Sequence, residues 1–177
     1  MNRQAGFTLT EVMIVTTIVA ILFGIGLPSY KYVTTSNRVA SEVNALLGDM
    51  QFARSEAVRE GQTVTVCPSA DGATCVGGAS GVWENGWIVF SDANNDQTVQ
   101  AGEPVLRVQR QFAGGDTFAS TPTAVTFNRE GFATGLAATV LVTLHEPTGN
   151  VGYTRCLQIT MVGSLKTVDH TKNSACK

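Results

Sequence analysis

Gly6-Phe7-Thr8-Leu9-Thr10-Glu11-Val12-Met13-Ile14-Val15 opens an apolar run that continues to Leu27, with Glu11 as its only charged residue. About 20 helical residues at 1.5 Å rise each cover the hydrocarbon core of a bilayer, and the run has that length. A cleavable secretory signal would place a small-residue cleavage site after the apolar region; Phe23 to Tyr30 offers none. The short polar stretch in front carries Arg3, so the leader side is expected to stay in the cytoplasm. A carboxylate inside such a span is costly and marks a functional partner, which makes Glu11 the residue to explain.

Gly24, Gly26 and Pro28 follow in quick succession and predict a bend or local melting of the helix. Beyond them Val39, Val43, Leu46, Leu47, Met50, Ala53 and Ala57 recur at helical spacing, with Arg38, Glu42, Asp49 and Glu56 read as largely off that stripe. Arg59-Glu60-Gly61 reads as a helix end with glycine past the last turn. One helix of about 50 residues is therefore expected. From Thr63 the period becomes strand-like, with candidate strands at 63–67, 86–90, 105–111, 124–127, 139–144 and 155–160, each rich in Val, Ile, Thr or aromatics. A helix followed only by strands predicts an α+β fold, an antiparallel sheet packed on the amphipathic half of the helix. The Gly- and Ala-rich stretch 69–80 reads as an exposed loop.

The 177 residues suit one domain with a short appendage. A net charge of -2 and a pI near 5.6 do not advertise a nucleic-acid or anionic-membrane partner. Cys67, Cys75, Cys156 and Cys176 all follow the apolar segment and allow three pairings. Cys67–Cys75 with Cys156–Cys176 is favoured because each closes a short local loop. Asp92, Asn94, Asp96, Thr98, Gln100 and Glu103 fall at the ligand positions of a calcium-loop template. Gln97 stands where that template has its sharp-turn glycine, and the flanks read as strands; the favoured reading is a polar hairpin turn with no metal. His145 and His170 have no nucleophile elbow or second ligand pair beside them, and no phosphate-cradling glycine motif is present. Neither an enzyme nor a cofactor is expected.

The segment from Gly6 to Glu11 with its apolar continuation resembles the prepilin signature of type IV pilins and type II secretion pseudopilins. Thr10 departs from it, since a large aliphatic residue is usual there. The resemblance implies a type IV pilin-like fold, cleavage by a prepilin peptidase between Gly6 and Phe7, and N-methylation of Phe7. It also implies that Glu11 neutralises the Phe7 amino group of an adjacent subunit during assembly. The expected organisation is then a leader at 1–6, a transmembrane and polymerisation half-helix at 7–28, an amphipathic half-helix at 29–61 and a β-rich domain at 62–177.

Arg54-Ser55-Glu56-Ala57-Val58 leading to Val64-Thr65-Val66-Cys67, then Gly86-Trp87-Ile88-Val89-Phe90-Ser91-Asp92 and Phe127-Asn128-Arg129-Glu130-Gly131, resemble the narrower FimU, FimT and GspH-like group. Trp87 and Phe90 are expected in the core, and Arg129 is expected to order a turn. The implied function is that of a minor pilin, a structural subunit that helps prime a type IV pilus and sits near its tip. Its partners would be other minor and major pilins, and it would wait in the bacterial inner membrane with its C-terminal domain in the periplasm. FimT-like relatives take part in DNA uptake through a C-terminal arginine-rich patch, which makes Arg155, Lys166, Lys172 and Lys177 the candidate DNA-binding residues here. Gly163-Ser164 replaces the Gly-Arg pair expected downstream, and so few cations predict weak binding at physiological salt. A minor pseudopilin of a type II secretion system is the third reading.

Overall fold

The computed structural model describes residues 6–76, 82–120 and 122–177, the side chains of Pro28 and Ser120 excepted. Residues 1–5 of the expected leader and the end of the expected Gly-rich loop, 77–80, lie outside the described residues. The chain divides into two units, Met1–Asn37 and Arg38–Lys177. One helix, α1 (Leu9–Glu60, 52 residues), contributes to both.

The first unit holds the apolar part of α1. Its helical assignment is unbroken through Gly24, Gly26 and Pro28, so the expected melting is absent. Proline removes one helix hydrogen bond and each glycine costs about 1 kcal/mol, whereas propagation on either side restores a bond per residue. Thr16 and Thr17 fit the apolar surface because their hydroxyls donate to the carbonyls of Val12 and Met13.

The second unit is α+β. After α1 come β1 (Val64–Pro68), β2 (Gly86–Ser91), β3 (Val105–Arg110), β4 (Thr117–Ser120), β5 (Val125–Phe127), β6 (Ala133–Thr134), β7 (Val140–His145), β8 (Arg155–Ile159) and β9 (Leu165–Asp169). They form two sheets rather than one, ordered β3-β2-β1-β5-β6 and β4-β7-β8-β9, with every pairing antiparallel. Strands β4, β6 and β9 were not expected from the sequence.

The stripe Val39, Val43, Leu46, Met50, Ala53 and Ala57 is fully covered and packs in one cluster with Val64, Val66, Trp83, Trp87, Val125, Phe127, Leu144, Leu157 and Ile159. α1 ends as expected: Gly61 takes φ +70° and returns its N–H to the Ala57 carbonyl. Strand β2 is buried at all six positions because it is covered on both faces. Trp87 and Val89 face the main core, while Ile88 and Phe90 face a second cluster with Cys67, Cys75, Val99 and Val105. Gly86, which opens β2, has φ +105°, and a Cβ there would meet the Gln109 carbonyl at 2.3 Å, so no other residue fits. Disulfides join Cys67 to Cys75 and Cys156 to Cys176.

Two α1 residues differ from their sequence reading. Glu42, expected off the stripe, is only 3% exposed; it lies three residues after Val39 and four before Leu46, which is the buried face itself. Asp49 accepts the Trp87 indole N–H at 2.8 Å and pairs with Arg107 at 3.0 Å, and the Arg107 guanidinium lies 3.8 Å above the Phe52 ring. Asp49 thus ties the β2–β3 pair to the helix. Asp49→Ala is expected to destabilise the globular unit by about 2 kcal/mol, because the buried indole donor is left unmatched. Urea unfolding of the full chain in detergent checks this, and a loss below about 0.5 kcal/mol would show that the tie is idle.

Candidate functional site

The N-terminal site is built by the start of α1. Thr8 precedes the helix and its Oγ1 accepts the Glu11 backbone N–H at 3.3 Å. Thr8 and Glu11 thereby occupy the first and fourth positions of a capping-box pattern, a signal the sequence reading passed over. The cap sets Glu11 in the first helical turn, where Phe7, Glu11, Val12, Val15 and Thr16 border one shallow groove. Phe7 is 82% exposed.

From Leu9 to Leu27 the large side chains are exposed as well, Leu9, Ile14, Phe23 and Ile25 among them. An 18-residue window of this helix has mean hydropathy 2.2 and none of it is buried. An apolar surface of this extent needs lipid or protein to cover it. Glu11 is the single charged side chain along it.

A second exposed apolar face lies on the globular unit, where Val58, Phe132, Met161 and Val162 stand between 47% and 59% exposed. They gather around Gly131 and Gly163, whose backbones meet so closely that a Cβ on Gly163 would lie 2.1 Å from the Gly131 carbonyl. Arg54 fastens this corner by donating from Nε to the same carbonyl at 2.9 Å. Trp87 and Phe90 are core residues. Arg129 does not order the neighbouring turn: its side chain is 71% exposed and pairs with Glu130. Asn128 does that work, its Oδ1 accepting the N–H groups of Glu130 and Phe132. An Asx turn serves here because the bends it closes need a short acceptor fixed to the backbone, which a long mobile cation is not.

The carboxylates of Asp92, Asp96 and Glu103 come within 4.8 Å of one another, and these three side chains could hold a hard cation. Their oxygens are engaged by the loop itself. Asp92 accepts the N–H groups of Asp96 and Gln97 and the Thr65 hydroxyl; Asp96 accepts from Thr98, Asn94 and Gln100; Glu103 accepts from Ala93 and Gln100. Gln97 takes φ +61° where the template would have glycine. The polar-turn reading accounts for all of these bonds.

Two of the candidate DNA contacts, Arg155 and Lys172, border one small cleft together with an acidic residue, Asp169. Arg155 on β8 donates from Nη1 to the carbonyls of Gly152 and Thr154 and lies opposite Asp169 of β9. Lys166 pairs in register with Gln158, and Lys177 is the last residue. His145 Nδ1 lies 3.4 Å from the Thr154 hydroxyl.

The description of the type II transport protein GspH matches residues 42–163, and that of the prokaryotic N-terminal methylation motif matches residues 1–27. The chain belongs to the GspH family. Its fold is similar to that of the type IV minor pilin FimU of Pseudomonas aeruginosa, with 20% identity and a TM-score of 0.58 over 76% of this chain and 91% of that one. It is also similar to the minor pseudopilin EpsH of the type 2 secretion system of Vibrio cholerae, with 10% identity and a TM-score of 0.52 over 74% and 96%. This GspH-family chain is thus a minor pilin or pseudopilin with an apolar N-terminal anchor, a structural subunit that assembles with other pilins.

Proposed function

We propose that this chain is a minor pilin that helps prime a type IV pilus and is incorporated near its tip, acting by contact and not by catalysis. In this reading a prepilin peptidase cuts between Gly6 and Phe7, Phe7 is N-methylated, and the helix holds the chain in the bacterial inner membrane with its globular unit in the periplasm until assembly. The observation that carries the reading is Glu11, alone among charges on an exposed apolar helix and four residues from Phe7. In lipid its carboxylate has no compensating charge; beside the Phe7 amine of an adjacent subunit it has one. The apolar face of Val58, Phe132, Met161 and Val162 supplies a contact for the globular unit of a neighbouring pilin.

Glu11→Gln tests this. The variant is expected to reach the membrane and lose its leader as the parent does, but its recovery in sheared filaments should drop more than about tenfold. Loss of a buried pair on the order of 3 kcal/mol exceeds the ~1.4 kcal/mol that a tenfold ratio requires. Equal incorporation of variant and parent would overturn the role given to Glu11.

Membership of the GspH family also supports a second reading, as a minor pseudopilin of a type II secretion system. Deleting the chain separates the two: loss of surface pili with normal protein secretion favours the first, and the reverse outcome favours the second.

A further inference from the structure

Arg38, the first residue of the globular unit, donates from Nε and Nη2 to the two oxygens of Asp116, at 2.9 and 2.7 Å. The pair is asymmetric: the Asp116 side chain is fully covered, whereas that of Arg38 is 39% exposed. One helical turn on, Glu42 enters the same place. It is 3% exposed, and its Oε2 is buried with no hydrogen-bond partner among the described residues. Glu146, at the end of β7, is 5% exposed and faces the same guanidinium.

Three buried carboxyl groups therefore converge on one cation, with His145 next to Glu146 in the chain. Two of the three are provided for. Asp116 takes both donor groups of Arg38. Glu146 accepts from the Thr148 hydroxyl and from the N–H groups of Thr148 and Asn150; burial pushes its carboxyl up, but these donors outweigh that and hold it below the usual range. Glu42 has neither a free cation nor a donor for Oε2. The one economical arrangement is that Glu42 carries a proton and offers it to Asp116.

The surroundings couple that proton to the backbone. A Cβ on Gly114 would lie 2.7 Å from Arg38 Nε and 3.0 Å from Asp116 Oδ2, so the segment before β4 lies closely over the bridge. The same connection carries Phe112, whose ring lies 5.8 Å from that of Trp87.

We propose that Glu42 and Asp116 form a proton-operated clasp on Arg38: with Glu42 protonated, segment 112–116 is held on α1, and when the proton leaves, two buried carboxylates face one guanidinium and the segment loosens. Burial, and then the charge and hydrogen bonding of Asp116, raise the Glu42 carboxyl to about 7 against the opposing pull of Arg38. The sign follows from linkage. The folded chain keeps a proton that the unfolded chain releases near pH 4.5, so this stability is complete below that pH. It is lost as pH rises to and through about 7.

The test is thermal unfolding of the full chain in detergent between pH 5 and 8.5, for the parent and for Glu42→Gln, with 13C detection of the Glu42 carboxyl in the parent. The parent melting temperature is expected to fall by about 5 °C across this range. Glu42→Gln should be nearly flat there and should exceed the parent at the alkaline end, and the labelled carboxyl should titrate near neutrality. Parallel pH profiles for parent and variant, or a carboxyl titrating in the ordinary glutamate range, would overturn the clasp. Should the variant fail to fold, the carboxyl titration alone decides.

Discussion

Gly6→Val is expected to leave the chain at its precursor mass, with leader attached, when the membrane fraction is measured by intact-mass spectrometry. The effect is close to all-or-none, because cleavage between Gly6 and Phe7 requires the peptidase to approach a backbone that a branched side chain crowds. The structure separates this from misfolding. A Cβ at Gly6 would meet nothing within 4 Å, and the cap formed by Thr8 lies beyond it, so valine leaves the start of α1 undisturbed. A second consequence follows. In the proposed assembly an uncleaved chain has no free Phe7 amine to pair with Glu11 of a neighbour, so incorporation is expected to fall along with processing. A mature N-terminus at Phe7 in the valine variant would overturn the assignment.

The second large effect is expected at Trp87. Its ring is fully buried and has aromatic neighbours on three sides, with centroids of Trp83, Phe112 and Phe118 at 6.5, 5.8 and 6.1 Å. Its indole N–H is the group held by Asp49. Trp87→Ala opens a cavity between α1 and β2 and strips the Asp49 Oδ2 of its indole donor, a cost of about 4 kcal/mol or more. Set against a total of about 5–15 kcal/mol for a domain, this lowers the melting temperature by about 10 °C or more. Val108→Ala, at a side chain 49% exposed on β3, is the control and should stay within about 0.5 kcal/mol. If Trp87→Ala melts within 2–3 °C of the parent, on the order of 1 kcal/mol, the aromatic cluster is not the centre of the core.

The elements legible in the sequence were those whose side chains settle their environment locally. The helix end at Gly61 could be read because a single positive-φ residue terminates the turn. β2 could be read from its run of aromatic and branched residues. The missed strands lack such local marks. β4 is four residues at a sheet edge, β6 has two, and β9 buries only Val168, so each is defined by its pairing partner and not by its own pattern. The division into two sheets is likewise a matter of pairing, which periodicity does not encode. Of the candidate site, Glu11 stands out because a charge in an apolar run contradicts its setting. Glu42 was missed for the opposite reason: charge was allowed to outweigh its spacing from Val39 and Leu46. Arg129 was credited with a turn that its neighbour Asn128 closes, since the two adjoin and only the shorter acceptor reaches the backbone.

The cysteines joined by the two disulfides lie only 8 and 20 residues apart in sequence. With α1 held in the membrane and the globular unit crossing it from β1 onward, as proposed above, each link can close as soon as its own short span has crossed, and the first pair can oxidise before Cys156 has emerged. Each cysteine meets its proper partner at high effective concentration and a wrong one only at low concentration, since the entropic cost of closure grows with the span. In that proposed topology the order of export matches the order of oxidation, and correct pairing needs no search among alternatives.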